Sequence, residues 1–145
     1  MSRKFISGAG FGVAALAMVI LVLRASILAV GFVAILVQAM AVLLMLWARA
    51  AFGFRSFHAT ANPTEGGLIT TGPYRYLRHP IYAAVLYFLW TGILCHVSLI
   101  NAFLGVSATA GLFIRIFAEE RLVTERYPEY AEYALHTKRI IPFVL

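Results

Sequence analysis

Four long apolar runs leave this chain few ways to fold. Phe5–Leu23 is apolar or small throughout. Coiled as a helix with about 1.5 Å of rise per residue, it reaches roughly 28 Å, one hydrocarbon core. Gly8, Gly10 and Gly12 would weaken a soluble helix, but in lipid small residues permit close helix contact. Ile27–Ala48 follows, with Gln38 its one strongly polar side chain and Trp47 placed to anchor its interfacial end. Ile81–Val97 and Leu99–Ala118 form a second pair, the latter interrupted by Arg115. The turns at Arg24–Ser26 and His96–Asn101 are short, so the runs they join are expected to pair antiparallel. The expected architecture is an all-α membrane protein: one domain over residues 1–145, a bundle of about four transmembrane helices. A cytoplasmic loop and a C-terminal helix should complete a polar site.

Composition supports this class. Residues are 62% hydrophobic and 12% charged, with mean hydropathy +0.87, whereas a soluble domain carries about 25% charged residues. A net charge of +6 would by itself suit nucleic acid. The Lys and Arg lie instead at the ends of apolar runs, where positive charge sets topology, so no nucleic-acid partner is expected. With the N-terminus inside, Arg24 is the one basic residue facing out, and the other eleven of the 12 face the cytoplasm. Both termini of this multi-pass protein are therefore expected in the cytoplasm. Arg3-Lys4 and the first run resemble a signal peptide, but a second apolar span follows rather than a soluble domain, so the run is expected to be retained. Cys95 has no partner for a disulfide and reads as a small hydrophobe. Asn62-Pro63-Thr64 fails as a glycosylation acceptor because proline holds its middle position.

The segments outside the runs are polar. Arg49–His79 reads as a loop with a short amphipathic helix around Arg49–Phe57 and a turn at Asn62–Gly67. Pro80 suits the first position of a helix, where its missing N–H costs nothing. Glu119–Leu135 reads as a charged helix broken or kinked at Pro128. Ile140–Leu145 is an apolar tail expected to lie back on the bundle or the interface.

Two stretches concentrate the chemistry, Gly72–Tyr82 and Arg115–Glu125. Both belong to the cytoplasmic side by the charge count, and they are expected to meet there around a polar cofactor. Arg115 lies about one turn inside the apolar boundary, where an arginine can snorkel to the interface. Glu119 stands at i+4 on the same helix face. Glu120 points about 100° away, so the doublet addresses two directions. One carboxylate can neutralise Arg115 while the other accepts from a ligand; a glutamate pair alone would describe only a solvated face. His79 and Tyr82 share a face three residues apart, although a histidine before proline commonly serves a cap or turn. Trp90, near the middle of the third run, needs a partner or a cavity for its indole N–H, or simply packs. No spacing of His and Cys suggests a metal site, and no hydrolase elbow, P-loop or dinucleotide fingerprint is present.

The order Arg78-His79-Pro80-x-Tyr82, then Trp90, then Glu119-Glu120 after 28 intervening residues resembles the isoprenylcysteine carboxyl methyltransferase family. The lead-in Leu68–Tyr76 and the tail from Glu119-Glu120-Arg121-Leu122 through Tyr130, Tyr133 and Arg139-Ile140-Ile141-Pro142 are similar to its bacterial members. The resemblance covers roughly Trp47–Pro142. It departs at Ala84, where the family often has glycine, and in the small number of spans.

The resemblance implies a membrane enzyme, here of the bacterial inner membrane, that moves a methyl group from S-adenosylmethionine to a lipophilic acceptor. That acceptor can be a prenylated cysteine carboxylate or another isoprenoid. It implies cofactor binding by Arg78, His79, Tyr82, Trp90, Glu119 and Glu120, and catalytic roles for Arg115 and Glu119. Two other readings compete. Sterol reductases that use NADPH share the histidine-proline segment, but carry asparagine where this chain has Ile81 and lack the glutamate pair. A non-catalytic membrane subunit would share the fold without the chemistry.

Overall fold

The computed structural model describes residues 3–53, 67–142 and 144. Five helices form among them: α1 (Arg3–Leu23), α2 (Phe32–Phe52), α3 (Pro80–Cys95), α4 (Leu99–Arg126) and α5 (Tyr130–His136). A 3-10 turn at Gly72–Arg75 precedes α3. α1, α2 and α4 are long and apolar enough to cross a membrane. α3 is apolar but has 16 residues, roughly 24 Å of helix. The expected all-α bundle forms, with three long spans and one short member.

Three boundaries differ from the sequence reading, each for a physical reason. α2 begins at Phe32 rather than Ile27, because Gln38 holds the preceding segment out of the helix. Its Nε2 donates to the Ile27 carbonyl at 2.8 Å and to the Phe88 carbonyl of α3 at 2.9 Å, while its Oε1 accepts from the Ala29 N–H at 2.9 Å. A polar side chain inside a span thus supplies the partners that non-helical backbone needs in lipid. α4 does not end at Ala118 but runs unbroken to Arg126, because no breaker separates the apolar run from the charged segment. It stops where Tyr127 adopts an extended conformation ahead of Pro128, and the expected charged helix is the end of α4 plus α5. The helix expected at Arg49–Phe57 is the last turn of α2 as far as Phe52; its remainder, and the Asn62–Gly66 part of the turn, lie outside the described residues.

The short connections decide only part of the packing: α3 and α4 do touch, as expected, but α1 and α2 have other main partners. α1 lies mainly along α4, and α2 along α3. On α1 the buried stripe is Ser7, Ala14, Ala17 and Leu21; on α4 the facing stripe includes Leu104, Ala108 and Arg115. Gly10 and Gly111 mark the closest approach. A Cβ on either would stand 2.5 Å from the other's carbonyl oxygen. Small residues therefore fix which helices meet, as expected where lipid offers no hydrophobic drive to association. The antiparallel sense is visible at both ends, since Phe11 of α1 reaches Arg115 and Arg24 Nε donates to Asn101 Oδ1 at 2.9 Å.

At the end of the bundle shared by the start of α3 and the end of α4, the chain closes on itself. The segment after α5 pairs in parallel with residues 76–79: Arg78 N–H donates to the Lys138 carbonyl at 2.7 Å and His79 N–H to the Arg139 carbonyl at 3.1 Å. Ile140 is buried, and its carbonyl accepts from the Tyr87 hydroxyl at 2.6 Å. The tail lies back on the bundle.

Candidate active site

The site is built from three elements. α3 begins at Pro80 and places His79 immediately before its first turn, with Tyr82 on the same side. Their rings stack with centroids 5.7 Å apart. α4 carries Arg115, Glu119 and Glu120 on one continuous helix, and the returning tail adds Arg139.

The two glutamates do point in different directions, and each has its own set of partners. Glu119 faces α3. Its Oε1 lies 2.9 Å from Arg115 Nε and accepts from the Tyr82 hydroxyl at 2.7 Å. Arg115 Nε also donates to the Tyr82 oxygen, at 2.5 Å. These three groups form a closed triangle, and Arg115 is 5% exposed. A cation so deep near a span needs its counterion close by, and Glu119 supplies it.

Glu120 faces the tail. Its carboxylate accepts from Arg78 Nε at 3.0 Å and from Arg139 Nε at 3.0 Å, lies 3.0 Å from Arg139 Nη2, and has His79 Nε2 at 3.3 Å. Arg78 also donates Nη1 to the carbonyls of Ala134 and Thr137 at the end of α5, at 2.5 and 3.0 Å. A guanidinium is well suited to such a bridge, because its planar fork reaches several acceptors at once. Positive charge at a helix C-terminus is also favourable.

α5 is held by a second tie. The Tyr133 hydroxyl donates to the Tyr74 carbonyl in the 3-10 turn at 2.5 Å. Burial pushes the Tyr133 phenol up to about 12, so it stays a neutral donor. The turn itself requires Gly72, whose φ of +60° is left-handed and whose Cβ would stand 3.0 Å from that of Ala51.

Between α4, α5 and the tail lies an open groove of about 570 Å³, lined by Arg78, Phe117, Glu120, Arg139 and the outer faces of Thr124 and Tyr130, among others. Its size falls within the range of small-molecule sites, roughly 300–1,000 Å³. Arg139 lies over the Phe117 ring with its guanidinium carbon 5.3 Å from the centroid. The groove thus offers carboxylate, guanidinium and an aromatic face together.

Six of the seven residues singled out from sequence come together here: Arg78, His79, Tyr82, Arg115, Glu119 and Glu120. Of the six, Arg78 and Glu120 line the groove; His79 touches Glu120 and stacks on Tyr82, and Tyr82, Arg115 and Glu119 form the triangle beside it rather than its lining. Trp90 stands apart. Its indole N–H donates to Thr109 Oγ1 at 3.0 Å, on α4 well below the site, and its ring covers Gly105. Sequence reasoning missed Arg139 and Phe11 as site residues. Arg139 sits in the tail noted for its resemblance, and the second of two adjacent glutamates needs a cation that α4 does not provide. Phe11 belongs to a run with no chemical signal, and only the packing of α1 on α4 brings it to Arg115.

The sequence pattern of the phospholipid methyltransferase family matches residues 26–130. The chain belongs to that family. Phospholipid methyltransferases and isoprenylcysteine carboxyl methyltransferases fall within one group of integral membrane methyltransferases, so the family match and the resemblance carried by residues 78–82 and 119–120 agree. The chain is also similar to the cobalt-zinc-cadmium resistance protein CzcN of Cupriavidus metallidurans, with 33% identity over 76 residues, which are 52% of this chain. It spans 35% of that relative's length. No solved structure matches. α1 and the Arg139 tail lie outside the matched residues 26–130.

Proposed function

We propose that this phospholipid methyltransferase family member transfers a methyl group from S-adenosylmethionine to a lipophilic acceptor at the cytoplasmic face of a bacterial inner membrane. The observation that carries the reading is the Glu120 groove. Its lining fits a zwitterionic cofactor: Glu120 and Glu125 suit an ammonium or ribose hydroxyls, Arg78, Arg121 and Arg139 suit a carboxylate, and Phe117 suits an adenine face or a sulfonium. When bound, S-adenosylmethionine supplies an electrophilic methyl group.

The residues of the chain have separable tasks in this reading. Arg78, Glu120 and Arg139 hold the groove in shape and bind the charged groups of the cofactor. His79 and Tyr82 connect the groove to the triangle around Arg115 and Glu119. Arg115 orients an acidic acceptor arriving from the bilayer. A carboxylate acceptor is already ionised at neutral pH and needs no base. For an amine acceptor a base is required, and Glu119 is the candidate. The protein's task is then to orient the reactants and keep water from them.

The test is titration of the purified protein with S-adenosylmethionine by calorimetry, followed by transfer of labelled methyl into phosphatidylethanolamine and into a farnesylated cysteine in nanodiscs. Saturable binding with label in either lipid supports the reading. Folded protein that binds nothing at millimolar cofactor refutes it. Competition by NADPH would move the assignment to a reductase, and binding without transfer would move it to a non-catalytic subunit.

A further inference from the structure

The triangle of Arg115, Tyr82 and Glu119 has a fourth wall. The Arg115 guanidinium carbon lies 5.0 Å from the centroid of the Phe11 ring and 5.9 Å from that of Tyr82. One aromatic comes from α1 and the other from α3, so the cation is bracketed by rings from two helices. Phe11 is 41% exposed while Arg115 is 5% exposed. The phenylalanine forms the outer surface and the arginine lies beneath it.

The placement is fixed by the backbone. Gly10, the neighbour of Phe11, is in contact with Gly111, one turn before Arg115 on α4. That contact sets both the depth and the rotation of α1 against α4. Phe11 therefore falls on the guanidinium as a direct result of the glycine crossing. An aromatic face attracts a cation, and more strongly where water is excluded. A leucine or valine at the same place would cover Arg115 without attracting it.

We propose that Phe11 is a positioning residue for Arg115: α1 supplies an aromatic cover that holds the guanidinium against Tyr82 and Glu119 and closes it off on the α1 side. Helix α1, outside the matched residues 26–130, thereby becomes part of the site. Its consequence for transfer rests on the methyl-transfer reading; the cover itself does not.

The two are tested separately. In nanodiscs, modification of Arg115 by phenylglyoxal is followed by peptide mass spectrometry, with exposed Arg24 as internal reference. Phe11→Ala is expected to raise the rate at Arg115 about tenfold, the order of a lost cation–π contact and lost cover. Phe11→Trp should match the native chain. Phe11→Leu keeps apolar bulk if the alanine variant fails to fold, and should still raise the rate severalfold. Equal rates at Arg115 in the native chain and in every folded variant would overturn the proposal.

With labelled S-adenosylmethionine and the two lipids above, Phe11→Ala is expected to lower kcat several-fold, leave cofactor affinity unchanged, and recover in Phe11→Trp. A loss of cofactor affinity equal to the loss of kcat would overturn the positioning role. A native chain with no transfer at all would refute the methyl-transfer reading, while the reactivity of Arg115 would still decide the cover.

Discussion

Replacing Glu120 by glutamine keeps shape and removes charge, and the structure gives the size of the effect. Three N–H donors on Arg78 and Arg139 meet the carboxylate at 3.0 Å. Hydrogen bonds to a charged group are worth about 1.5–3 kcal/mol and ordinary ones about 0.5–1.5, so each contact loses roughly 1 kcal/mol. Arg139 is a third exposed, and solvent screening reduces its share. The Arg78 contact joins the start of α3 to α4, so only the two Arg139 contacts tie the tail, and the net loss is about 1 kcal/mol, or roughly fivefold in the population of the docked tail. Lys138 and Arg139 are tryptic sites, and the backbone around them is tied to residues 76–79 only while the tail is docked. Limited trypsinolysis therefore reads the equilibrium directly where reclosing outpaces cleavage. Cleavage after Lys138 should accelerate roughly fivefold in Glu120→Gln, with cleavage after Arg126 as the reference. The same variant should weaken S-adenosylmethionine binding by about tenfold or more. Unchanged tail cleavage would refute the idea that Glu120 fastens the tail, whatever happens to the cofactor.

Other expectations follow from the same geometry. Tyr82→Phe removes a hydroxyl that joins Arg115 to Glu119; methyl transfer should fall about 10- to 100-fold in kcat with little change in thermal midpoint, and an unchanged kcat would take Tyr82 out of the triangle's function. Trp90→Phe forfeits one hydrogen bond to Thr109, costing about 1 kcal/mol in unfolding from detergent; weakened cofactor binding in that variant would contradict its placement away from the groove. Gly111→Leu should push α1 from α4, because even a Cβ there stands 2.5 Å from the Gly10 carbonyl oxygen. The expected cost is about 1–3 kcal/mol with faster phenylglyoxal reaction at Arg115, and native behaviour in both assays would deny the crossing.

Much of this was legible in the residues, and the rest was not for identifiable reasons. Hydropathy located the spans, because length and apolarity alone decide whether a segment can cross a bilayer. Helical period separated Glu119 from Glu120, and Pro128 marked the break before α5. The start of α2 was misread because one glutamine can outbid local propensity when backbone in lipid needs its bonds. The pairing of the first two runs was misread because the small residues of α1 and α4, not the short turn, choose the contact, while α3 and α4 do pack as their short turn suggested. Arg139 reaches Glu120 only after the chain breaks at Pro128 and folds back, and Phe11 meets Arg115 from the far end of the chain; no local pattern reports either contact.

The unbroken course of α4 has a mechanical consequence. Its 28 residues form a rod of roughly 42 Å, longer than a bilayer's oily interior, with Arg115, Glu119 and Glu120 at set heights along it. The glycine crossing clamps that rod to α1. A thinner or thicker bilayer therefore cannot slide one carboxylate past the other. It tilts or shifts the Arg115–Glu120 cluster as a body relative to the lipid headgroups, and on the methyl-transfer reading proposed above this makes membrane thickness a control on which acceptors meet the site.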